Sequence, residues 1–119
     1  MRKQQRSAAI AKIVFIGAGS LQFTRRLARD ILTFPLLRNA ELALVDINRE
    51  RLSFAHRACA KIVSMGNYPA KVTATTERRD ALKGADAVCV TILCGRTSIW
   101  QHDILIPKKY GIDINVGDT

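Results

Sequence analysis

The 119-residue chain has little of several things: 6% aromatic residues, three prolines, three cysteines, and no apolar run near the ~20 residues of a membrane-spanning helix. Few prolines beside 48% hydrophobic residues exclude a disordered or fibrous chain and leave one globular unit. Cys59, Cys89 and Cys94 have no CxxC or CxH spacing, so a disulfide framework and a zinc site are both disfavoured. They read as reduced thiols that fill space in a core. Scarce aromatics also weigh against nucleic acid. The net charge is +9, and residues 1–40 hold eight Lys/Arg against one acid. Yet no rings alternate with those bases, as a single-strand binding surface requires. Arg25, Arg26 and Arg29 instead read as a solvated helix face. The basic start and short apolar stretch suggest a signal peptide only superficially, because Lys12 splits the apolar run. We expect a basic tail over residues 1–11, a domain over 12–119, no membrane partner, and a cytoplasmic location.

What is present is an alternation. "KIVFI" (12–16) is continuously apolar and ends at glycine, as a strand buried on both faces does. From Ser20 the period changes. Phe23, Leu27, Ala28, Ile31 and Leu32 form a helical stripe, Ser20 is a candidate cap through its hydroxyl, and Pro35 bars continuation. "ELALVD" (41–46) predicts a second strand. A helix follows with Leu52, Ala55, Cys59, Ile62 and Val63 on one stripe, Asn48 as cap and Gly66 as terminator. "KVTATT" (71–76), a short helix in "ERRDALKGA" and a strand over "DAVCVTILC" (86–94) complete the pattern, with Pro107 and Gly111 punctuating the last stretch. Four such alternations imply right-handed crossovers and an α/β, Rossmann-like parallel sheet of about four strands flanked by helices.

The first strand opens into "GAGS". A diphosphate needs backbone N–H groups and no side chain in the way, and a strand-to-helix turn supplies both. Gly17 permits the tight turn and Gly19 lets the backbone approach, while Gln22 stands where a third glycine would ease helix–strand packing. Asp46, at the end of the second strand, is placed to accept hydrogen bonds from an adenine ribose, which favours NAD over NADP. Arg49 and Arg51 blur that preference, because an arginine can accommodate a 2′-phosphate.

Together these stretches resemble the NAD-dependent glycoside hydrolases of family 4, the α-galactosidase, α-glucosidase and α-glucuronidase group. "KIVFIGAGSLQF", "LALVDINRERL", "ALKGADAVCVTILCGR" and "PKKYGIDINVGDT" carry the likeness, which covers nearly the whole chain after residue 11. A GAGS loop without a third glycine is that family's usual form. The resemblance implies cofactor-binding positions at Gly17, Ala18, Gly19, Ser20, Asp46 and Arg51, with Leu93, Cys94 and Gly95 as a cofactor- and substrate-facing turn. Asp118 and Thr119 would open a loop beside the substrate. It also implies an unusual hydrolysis in which NAD transiently oxidises the sugar at C3, a base removes the C2 proton beside a divalent metal, usually manganese, and the leaving group is eliminated. The catalytic and metal-binding groups of such enzymes lie beyond residue 119, so no catalytic residue and no metal ligand is expected within this chain, and Cys94 and His102 are not assigned such roles. Arg96 follows Gly95, whereas members acting on phosphorylated sugars tend to carry an arginine before that glycine. This departure favours a non-phosphorylated galactoside or glucuronide. A homo-oligomer is implied at full length. By itself the incomplete domain is expected to be inactive and, with an apolar fourth strand bare at the edge, poorly soluble.

Two other readings stay open at this level: a lactate/malate-type dehydrogenase fragment and a non-catalytic nucleotide-binding module.

Overall fold

The computed structural model describes residues 10–93 and 95–114. A strand at Lys12–Ile16 (β1) leads into a helix at Leu21–Thr33 (α1), then a 3-10 turn at Pro35–Leu37. Glu41–Val45 (β2), Arg49–Met65 (α2), Lys71–Thr75 (β3), Arg78–Leu82 (α3) and Ala87–Val90 (β4) follow. A 3-10 turn at Thr97–Ile99 and a helix at Trp100–Lys108 (α4) come last. The four strands form one parallel sheet in the order β3-β2-β1-β4, with Ile13 opposite Leu42 on one side and Ala87 on the other.

Why the first two strands read as unbroken apolar runs is plain from their surroundings. Ile13, Phe15, Leu42 and Leu44 face a core shared with Ala28 and Leu32 of α1 and Leu52, Ala55 and Cys59 of α2. Val14, Ala43 and Val45 point the other way, onto Ala81 of α3. Both faces of β1 and β2 are therefore covered. Each fully buried Phe or Leu contributes about 1.5–3 kcal/mol relative to exposure, so β1 and β2 anchor the domain.

The α2 stripe falls as the sequence predicts, and Asn48 caps the helix by accepting from the Arg51 amide at 2.9 Å. Gly66 closes it in an ordinary helical conformation (φ −86°), and the left-handed residue is Asn67 (φ 50°). Tyr68 N–H donates to the Val63 carbonyl and Asn67 N–H to that of Ser64, a Schellman closure. A side chain at Gly66 would strike the Tyr68 ring, which accounts for the glycine.

Several expectations are corrected. In α1 the buried stripe is Thr24, Ala28 and Leu32, and Phe23 is 63% exposed, because the helix phase sits one residue later than its largest apolar residue suggests. Ser20 occupies the cap position but makes no side-chain cap bond; its ψ of 78° lies outside the extended region from which a cap side chain folds back. Gln22 is exposed, so no packing is lost for want of a third glycine. The second strand ends at Val45, one residue before Asp46. The fourth is four residues long rather than nine, since β1 offers it partners only from Ile13 to Ile16. Pro107 lies within the last turn of α4 instead of ending it. The bare fourth strand is as expected: β4 bounds the sheet, with Val88 and Val90 exposed.

Candidate functional site

At the C-terminal ends of β1, β2 and β4 the chain meets itself around residues 17–20. Gly17 adopts φ +86°, a conformation natural to glycine, and a Cβ there would collide with the Thr91 carbonyl. The Gly17 and Ala18 amides both donate to the Val45 carbonyl at 2.9 Å, and the Ser20 amide donates to the Gly17 carbonyl. The Gly19 amide donates to Asp46 Oδ2 at 2.8 Å, and the Asn48 amide to Asp46 Oδ1 at 2.8 Å. A Cβ on Gly19 would lie 2.6 Å from Asp46 Oδ2 and 2.8 Å from Arg51 Cβ. Glycine at 19 is thus the condition for the acid to reach the backbone, and Arg51 packs its stem under the same turn.

Two residues that the sequence reading passed over fix this turn. Thr24 Oγ1, 1% exposed, donates to the Ala18 carbonyl at 2.7 Å. Thr91, immediately after β4, donates through its amide to the Ile16 carbonyl and through Oγ1 to the Gly17 carbonyl. A polar residue inside an apolar helical stripe, and another closing a valine-rich strand, were the available signals.

The four amides of residues 17–20 are all consumed internally. Directly after this turn, the first-turn amides of α1, those of Leu21, Gln22 and Phe23, have no acceptor among the described residues. No acid occupies that first turn, and the Ser20 hydroxyl does not reach back to it. A helix N-terminus so left attracts negative charge. Asp46, half-buried beside it, keeps lone pairs for further donors, because each of its oxygens accepts one amide. These groups fit a diphosphate joined to a polyhydroxyl sugar.

Among the other expected positions, Leu93 follows β4 and is about half exposed, and Gly95 has φ +87° with Ile99 against its α-carbon. Cys94, Asp118 and Thr119 lie outside the described residues. His102 is exposed on α4. Cys59, fully enclosed, has its thiol pushed up to about 11 by burial. Among the described residues no three His, Cys, Asp or Glu side chains are grouped to hold a metal, and no helix is long and apolar enough to cross a membrane.

Comparison with known proteins adds the rest. Residues 12–119 match the sequence model of the family described as family 4 glycosyl hydrolase. An α-galactosidase of Rhizobium meliloti (strain 1021) is 44% identical over 108 residues, covering 91% of this chain and 22% of the relative. An α-glucosidase of Erwinia rhapontici is 38% identical over 109 residues, covering 91% of this chain and 24% of its own length. The chain therefore spans under a quarter of these two relatives. Among solved structures, the 6-phospho-β-glucosidase of Thermotoga maritima with NAD and glucose-6-phosphate superposes with a TM-score of 0.66 at 24% identity, over 87% of this chain and 24% of that one. A malate dehydrogenase from Salinibacter ruber gives 0.53 at 20% identity, over 70% and 26%. At such identities these structures speak for a shared Rossmann-type fold.

Proposed function

Since this chain belongs to glycosyl hydrolase family 4, we propose that it is the NAD-binding N-terminal part of an enzyme that cleaves α-glycosides. One observation carries the reading: the Asp46 carboxylate, 2.8 Å from the Gly19 amide, stands beside the three unshared amides at the start of α1. Leu21, Gln22 and Phe23 would face the diphosphate, and Asp46 would accept from the adenine ribose hydroxyls. Gly17, Ala18, Gly19 and Ser20 hold the turn in shape, and Arg51 supports it from below. The family resemblance gives Leu93, Cys94 and Gly95 to the nicotinamide and substrate side and Asp118 and Thr119 to the substrate loop, roles proposed here from the sequence. When bound, the nicotinamide supplies reversible hydride exchange with the sugar.

The Thermotoga enzyme has also been solved with manganese. The described residues here offer no ligand cluster for such an ion, and no metal-assisted step is assigned to them. The 44% identical α-galactosidase, and the absence of an arginine before Gly95, favour a non-phosphorylated α-galactoside or a glucuronide as substrate. Unpaired cysteine spacing and a cofactor of this kind support a cytoplasmic location, and a homo-oligomer is proposed for a chain of family length.

Calorimetry with NAD tests the reading. Binding is expected, and its absence at millimolar NAD overturns it. In a chain of family length, sugar cleavage without accumulation of reduced cofactor is expected. Net NADH formed from a hydroxy acid would instead identify a dehydrogenase, and NAD binding without any turnover a regulatory module.

A further inference from the structure

On the outer side of α1, away from the sheet, Arg25, Arg26 and Arg29 surround a shallow cavity of about 330 Å³ whose opposite wall is Ile62 of α2. Arg25 and Arg29 are one helical turn apart, a spacing at which like charges oppose the helix. None of the three forms an ion pair: among the described residues the ion pair is Lys83–Asp80, on the other face of the sheet. Asp30, one turn beyond Arg26, does not reach it. Three planar guanidinium donors therefore line a hollow with no ion-pair partner among the described residues.

The geometry points to this α1–α2 hollow as a binding site for a polyphosphate-bearing small molecule. Guanidinium groups pair with phosphate oxygens through two parallel N–H bonds, a match that a carboxylate of this chain does not provide here. A second copy is a poor occupant. Its acids are scattered, and the closest pair in sequence, Glu77 at the cap of α3 and Asp80 within it, stands beside Arg78 and Arg79. Nucleic acid is a poor occupant too, because no exposed ring lines the hollow. Its Ile62 wall lies roughly 20 Å along α2 from Asn48, while Arg25 stands only about 3 Å of helical rise past Phe23, so competition with NAD is the measurement that distinguishes this hollow from the cofactor crevice.

The test is calorimetric titration of the chain with inorganic tripolyphosphate at low salt, in the presence and absence of NAD. Arg25→Gln/Arg29→Gln is compared with Arg78→Gln/Arg79→Gln, which removes the same charge elsewhere. We expect the first pair to weaken binding at least tenfold, the second less than twofold, and NAD to leave the difference intact. ATP in place of tripolyphosphate separates the two sources of this chemistry: equal affinity indicates a free polyphosphate, and tighter binding a nucleotide resting on Ile62. Equal losses in both variants, or displacement by NAD, would overturn the site. So would no binding to the wild-type chain at millimolar tripolyphosphate.

Discussion

Asp46 Oδ2 accepts the Gly19 amide at 2.8 Å across 27 residues of sequence, and the same carboxylate accepts the Asn48 amide through Oδ1. One side chain thereby ties the turn after β1 to the start of α2 and presents its remaining lone pairs to the crevice. Hydrogen bonds to charged groups contribute about 1.5–3 kcal/mol, so Asp46→Ala is expected to weaken NAD binding roughly 10- to 100-fold. It should also narrow the gap between NAD and NADP, because the negative charge that repels a 2′-phosphate is gone. Calorimetry with both cofactors reads this; unchanged affinity for each would reduce Asp46 to a structural clasp.

The two helix caps separate cleanly. Asn48→Ala removes an acceptor that the Arg51 amide uses, and should cost about 1 kcal/mol in urea unfolding. Ser20→Ala, which breaks no cap bond in α1, should change stability by less than ~0.5 kcal/mol. Equal losses would show that Ser20 caps after all.

Much of this was legible beforehand, and the failures share a cause. β1 and β2 announce themselves because burial on both faces forces every position to be apolar. The Leu52–Ala55–Cys59 stripe and the Asn48 cap are equally local features. Thr24 was missed because its burial depends on the Ala18 carbonyl, a partner reached only once the turn has closed. Phe23 falls off the buried stripe because hydrophobicity alone cannot set the phase of α1. The length of β4 follows from how much of β1 remains to pair with it, and no residue of β4 itself encodes that.

The exposed flank of β4 is expected to make the chain self-associate. Val90→Lys places a charge on that flank, where Val90 is 60% exposed, and should lower the apparent mass in sedimentation without loss of helical signal. A monomer before the substitution would remove the basis for this expectation.

Cys59 links stability to alkaline pH. Its folded-state value is raised to about 11 from an ordinary 9.0, so its stabilising share is complete below pH 9 and is lost as pH rises through 11. The loss amounts to roughly 2–3 kcal/mol at most. Urea unfolding from pH 8 to 11 should show a steeper decline in the wild type than in Cys59→Ala, and parallel declines would contradict it.

The sheet is clothed unevenly, with two long helices on one side and the five-residue α3 on the other. Transient opening should therefore begin beneath α3, and the amide protons of β4 should trade with deuterium well before those of β1 and β2. Of the two walls that meet at Gly17, the one carrying Asp46 would stay shut while the one carrying Thr91 breathes.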